Sequence, residues 1–107
     1  MLAVIFEVEM KSGQSDQYFN LVASLRPELE KLDGFISVER FESLVTPGKY
    51  VSLSFWRDEQ AISQWKSHVE HQSAQEQGKQ SIFSKYRICV ASVVRDYGMG
   101  ENAQSVL

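Results

Sequence analysis

Residues 2–10 are apolar in both phases of a β-strand. Leu2, Val4, Phe6 and Val8 fall on one face and Ala3 and Ile5 on the other, with Glu7 and Glu9 interrupting the second. A strand of this kind needs cover on both sides. A later segment repeats the pattern, with Val51, Leu53 and Phe55 alternating against Tyr50, Ser52 and Ser54. Any fold for this chain must therefore supply two covers for one sheet.

The rest of the chain provides the first cover. After a turn at Lys11-Ser12-Gly13-Gln14, a helix begins at Ser15, with Tyr18, Leu21, Val22, Leu25, Leu29 and Leu32 near the 3.6-residue period. Pro27 falls inside it and predicts a kink or the start of a second short helix. Asp33-Gly34 closes the helix. Phe35 to Leu44 reads as a second strand, Thr46-Pro47-Gly48 as a hairpin turn, and Tyr50 to Phe55 as the third strand. Asp58 caps a helix to about Lys66, and a second helical piece covers roughly Val69 to Phe83, interrupted by Gly78. Arg87 to Asp96 forms the last strand. Residues 1–97 read as one domain, and 98–107, with Gly98, Gly100, Asn102 and Gln104, as a mobile tail.

The order is βαββαβ, an α+β arrangement of the ferredoxin-like type: a four-stranded antiparallel sheet with helices on one face. Two helices cover one side only, so the second apolar face predicts a homodimer packed sheet to sheet. A chain of 107 residues leaves about a third of its unfolded surface exposed, and pairing buries more of it.

Composition excludes several classes of function. A net charge of −3 gives no reason to expect nucleic acid or an anionic membrane as partner. No apolar run reaches the roughly 18–20 residues that span a bilayer, and the acidic N-terminal segment does not read as a signal peptide. The single cysteine, Cys89, forms no intramolecular disulfide and alternates with Arg87 and Ala91 as an inert core residue. A reduced, cytoplasmic protein is expected. There is no nucleophile elbow, Gly-rich phosphate loop or CxxC pair.

Chemistry concentrates between Phe55 and His71. Trp56 and Trp65 lie nine residues apart, and both histidines, His68 and His71, fall within six residues of Trp65. Histidine titrates near neutrality and takes a proton from a phenol or hydroquinone. His71 is nearly two turns beyond Trp65, so both can face one cleft; His68 is the second candidate. Solvated or capping histidines are the plain alternative. His-x-x-His alone lacks the further ligands that a metal site needs, so no metal is assigned. Trp65 offers a flat wall to an aromatic ligand, whereas Trp56 at a strand end suits core packing. Arg40, if inside a barrel, needs a partner: an interfacial salt bridge or an anionic ligand.

The element order, the junction Leu53-Ser54-Phe55-Trp56-Arg57-Asp58-Glu59-Gln60-Ala61, Trp65, and the closing Val93-Val94-Arg95-Asp96-Tyr97 resemble the antibiotic biosynthesis monooxygenase family over about residues 1–97. The resemblance implies a dimeric α/β barrel and a cleft beside the helix that carries Trp65. It also implies one of several activities, among them cofactor-independent oxygenation of aromatic polyketides, quinol oxygenation and haem degradation. The haem-degrading branch shares a Trp at position 65, but it uses an Asn on the first strand and a His about ten residues after the Trp. Here the first strand has Phe6 and Glu7, and Gln75 occupies the second position. Haem ligation requires an imidazole or its equivalent, so this branch fits poorly.

The resulting expectation is a cofactor-independent monooxygenase, homodimeric, acting with O₂ on a small electron-rich aromatic such as a quinol or polyketide-like phenol. His71 or His68 is the base, and Trp65 and Arg40 hold the substrate. The alternative is a non-catalytic ligand-binding or stress-response dimer on the same fold.

Overall fold

The computed structural model describes the backbone of residues 1–75 and 83–99 and the side chains of 1–69 and 85–99. The elements follow in the order β1 (Leu2–Met10), α1 (Ser15–Glu30), β2 (Phe35–Glu42), β3 (Lys49–Trp56), α2 (Glu59–Gln75) and β4 (Phe83–Ser92). The four strands form one antiparallel sheet in the order β2-β3-β1-β4. This is the expected ferredoxin-like α+β fold.

Several boundaries differ from the sequence expectations. α1 runs unbroken through Pro27. The proline sits in the last turns, where its missing N–H removes only the bond to the carbonyl of Ala23. α2 is continuous across 66–69, where no helix breaker stands. Phe83 begins β4 and does not end a helix; Gly78 lies outside the described residues. β2 stops at Glu42 because the Ser43 hydroxyl accepts the N–H groups of Val45 and Thr46 at 3.1 and 2.9 Å, turning the chain toward Gly48. β4 starts and ends earlier than expected because its ladder with β1 runs from Met10↔Phe83 to Leu2↔Ser92. All but two residues of the tail expected from Gly98 lie outside the described residues.

Strand register divides the sheet into two faces. On the first lie Leu2, Val4, Phe6 and Val8 with their partners Trp56, Ser54, Ser52 and Tyr50 on β3, and Ser92, Val90, Ile88 and Tyr86 on β4. The helices cover this face. Its core joins Leu29 of α1, Trp56 of β3 and Ala61 of α2, with Val4, Leu32, Phe35, Val38, Ile62 and Trp65 packed around them. Trp56 is 2 % exposed and its Nε1 donates to Ser54 Oγ at 2.8 Å. At the other end Tyr18 of α1 stacks on Tyr50, and Phe19 meets the same ring edge-on.

The second face is open in the single chain. Phe55, Ala3 and Ala91 form one row, and Leu53, Ile5 and Cys89 the next. Toward the Met10 end the row turns charged. Glu7 pairs with Arg87 at 2.7 Å and Lys49 at 3.4 Å, and Glu9 with Lys85 at 3.2 Å. The hydrogen bond from Arg87, and then that from Lys49, holds the Glu7 carboxyl below its ordinary range. Among the described residues, no helix is long and apolar enough to cross a membrane.

Candidate active site

α2 is launched by a capping carboxylate. Asp58 Oδ1 accepts the N–H of Ala61 at 3.0 Å, and this bond, with the Arg57 guanidinium second, keeps the carboxyl below its ordinary range. Arg57 also grips Asp33 with two bonds, of 3.2 and 3.1 Å, joining the end of α1 to the start of α2. α2 therefore leaves the Trp56 end of β3, and the chain re-enters the sheet at Phe83, opposite Met10. Seventeen residues give about 25 Å of helix, roughly the length of a strand here. The helix packs on the β3 side of the sheet through Ala61, Ile62 and Trp65.

Trp65 and His68 come together on this helix. Their rings lie near-parallel with centroids 5.5 Å apart. His68 Nε2 sits 3.3 Å from Glu28 Oε1 on α1, with both side chains partly exposed. An imidazole held at one nitrogen by a carboxylate presents the other in a fixed orientation. Trp65 is half-buried and rests on the Leu29–Trp56–Ala61 core, so it is core packing on one side and a wall on the other. The side chain of His71 lies outside the described residues.

The same side of the sheet carries apolar residues of β1 and β4. Phe6 contacts Tyr86 with centroids 5.9 Å apart. Tyr86, Ile88 and Val90 share the helix-covered face, yet they remain 62 %, 56 % and 46 % exposed. These exposed side chains form an apolar surface at the β4 side of the sheet.

Arg40 is placed differently from the expectation. Its register partner is Ser52, and Val38, two residues earlier, packs on the core. Arg40 therefore lies on the helix-covered face and not on the open face that would line a barrel. Among the described residues of the single chain Arg40 forms no ion pair or hydrogen bond, and its Nε is buried without a partner. A cavity of about 220 Å³ does open on the other face, but its lining is mostly the ion-paired residues Glu7, Glu9, Lys49, Lys85 and Arg87. It offers little apolar surface to a ring. Among the described residues no group of three or more His, Cys, Asp and Glu is placed to hold a metal.

The sequence reading missed Glu28, which stands forty positions from His68 and gains meaning only when α1 packs on α2. It also missed Phe6, Ser52 and Ile88 as one row, although alternation in the strands carried that signal once a register was assumed.

The model of the family described as antibiotic biosynthesis monooxygenase matches residues 1–77. Jasmonate monooxygenase ABM of Pyricularia oryzae is 44 % identical over 93 residues, covering 87 % of this chain and 43 % of that protein. This chain therefore spans less than half of that relative. The uncharacterized protein YqjZ of Bacillus subtilis is 31 % identical over 100 residues, covering 94 % of this chain and 85 % of that protein. Among solved structures, one from Deinococcus radiodurans assigned to the antibiotic biosynthesis monooxygenases superposes with a TM-score of 0.76 at 13 % identity, covering 94 % of this chain and 99 % of the other. The heme-degrader MhuD of Mycobacterium tuberculosis, with two hemes bound, gives 0.69 at 17 % identity, covering 92 % and 100 %. At such identities the structures establish a shared fold.

Proposed function

The chain belongs to the antibiotic biosynthesis monooxygenase family, and on that premise we propose that it is a cofactor-independent monooxygenase acting with O₂ on a small electron-rich aromatic, a quinol or polyketide-like phenol. The observation that carries this reading is the Trp65–His68–Glu28 arrangement, an imidazole stacked on an indole and held by a carboxylate, on the side of the sheet that also bears Phe6, Tyr86 and Ile88. His68 takes the phenolic proton, and Glu28 stabilises the imidazolium that forms. The substrate ring, laid against the apolar side chains, covers them and lowers the water content around the phenolate. The electron-rich anion then reduces O₂ itself. For a quinol, one oxygen atom enters the ring and the other leaves as water with the two hydrogens the substrate loses, giving a hydroxyquinone. The substrate supplies all four electrons, so no external reductant enters. His71, on the same helix, is the second candidate for the base.

We further propose a homodimer, with the open faces of two sheets packed together to close a barrel. Haem degradation is the lesser reading, since Phe6 and Glu7 leave no Asn on the first strand and Gln75 replaces the expected histidine. A ligand-binding dimer without turnover is the remaining alternative. It is favoured by the way Glu28 and His68 also tie the two helices.

The test is O₂ uptake by the purified protein with a panel of quinols and hydroxylated aromatics. The jasmonate named for the Pyricularia relative belongs in that panel. Uptake with an aromatic substrate, stoichiometric with hydroxyquinone formation, supports the reading. A panel that consumes no O₂ above the uncatalysed rate, while some member binds, supports the ligand-binding alternative.

A further inference from the structure

One row of side chains crosses the whole helix-covered face. Arg40 pairs with Ser52, Ser52 with Phe6, and Phe6 with Ile88. Neighbouring strands are about 4.8 Å apart, so Arg40 stands about 10 Å from Phe6 along this line. The row lies between two packed clusters, the Trp56–Leu29–Ala61 core on one side and the Tyr18–Phe19–Tyr50 aromatics on the other. Ser52, the small residue at its centre, leaves the middle of the row low. A cation stands at one end, and apolar side chains, with Ile88 56 % exposed, at the other.

Among the described residues the cation has no counterpart. Glu42 is the other charged residue on this face of β2, and neither it nor any other described residue pairs with Arg40. Leaving a guanidinium Nε buried and unsatisfied is unfavourable; Arg40 as a whole is only partly buried, and a turn of its side chain would present the guanidinium edge to a carboxylate for charge-assisted bonds.

We propose that Arg40 anchors the carboxylate of an amphiphilic aromatic acid whose ring lies over Ser52 and Phe6 toward Ile88 and Tyr86. The substrate class is thus narrowed from phenols in general to phenols bearing a carboxylate roughly one ring removed from the reacting position. This rests on the oxygenase reading only for the expectation that a ligand occupies this face; the anchor itself is a statement about binding.

The test compares 6-hydroxy-2-naphthoate with its carboxamide, equal in shape and differing in charge, by equilibrium dialysis under anaerobic conditions. The carboxylate should bind at least about 10-fold tighter, as expected for loss of a charge-assisted hydrogen bond. Arg40→Met should reduce that ratio to about one, and Arg40→Lys should leave an intermediate value. Arg87→Gln, on the open face, should leave the ratio unchanged. Equal binding of the two ligands by the wild-type protein overturns the proposal without any variant, and so does a preference that survives Arg40→Met or disappears in Arg87→Gln. If Arg40→Met fails to fold, judged by circular dichroism, the wild-type ratio and Arg40→Lys decide. A carboxylate preference that depends on Arg40 without O₂ uptake on any phenol removes the oxygenase and keeps the anchor. O₂ uptake on neutral and acidic phenols alike, indifferent to Arg40, does the reverse.

Discussion

A β-carbon at Gly34 would stand 2.6 Å from the β-carbon of Ala61, the residue whose N–H is capped by Asp58. Gly34 also has φ +94°, a conformation that L side chains rarely adopt. The start of α2 is thus seated directly on the turn that ends α1. Gly34→Ala has both a steric and a conformational cost, so it is expected to destabilise by more than about 1 kcal/mol. Thermal unfolding should show a Tm lower by several degrees. Gly13→Ala, with a similar φ but open space around it, is the milder control.

His68→Ala should lower kcat by roughly 10²-fold or more on any phenolic substrate found, with Tm little changed. The rate of the wild-type protein should fall on acidification, because the base must be neutral to accept a proton. Glu28→Gln should lower kcat less than His68→Ala does. If His71→Ala alone abolishes the rate while His68→Ala does not, the base is His71 and the Glu28 contact is an inter-helix tie.

Acid should weaken the fold through two depressed carboxyls. Glu7 and Asp58 are both held below their ordinary values of 4.5 and 3.8. Their contribution is complete above those values and is lost as pH falls through the lower folded ones. Melting temperatures should be nearly flat in this respect above about pH 5 and should decline below it. Glu7→Gln should flatten part of that decline, read as the difference in slope between the two proteins from pH 5 to pH 2.

Light scattering at micromolar concentration should return twice the mass of the chain. Leu53→Arg, placed between Glu39 and Ile5 on the open face, should return the monomer mass, because it sets like charges opposite each other across a two-fold interface. A monomeric wild-type protein would remove the barrel.

Added haem should bind weakly and show no stoichiometric Soret-shifted complex in an absorption titration. A tight complex with turnover to a bilin would assign the chain to the haem-degrading branch instead.

Alternation in β1 and β3 was enough to show two apolar faces, and the capping position of Asp58 was legible from residue type. Both signals are local. The placement of Arg40 was not legible, because its face depends on the register between β2 and β3 and on the irregularity between Phe35 and Ser37, which local pattern does not reveal. The run of α2 through 66–69 was missed because polar residues there blurred the apolar stripe. Glu28 and His68 meet through tertiary packing alone.

The carboxylate of Glu7 is gripped from both flanking strands, by Lys49 on β3 and Arg87 on β4. A one-residue slip of β1 would turn Glu7 toward the helices and Phe6 toward the open face. Both ion pairs would break at once and an unpaired acid would enter the core. The clasp thus acts as an alignment check during folding: a misthreaded central strand is penalised on both sides, while the correct threading closes two distant segments, near residues 49 and 87, around one side chain. One side chain thus ties the register of β1 to both of its neighbours at once.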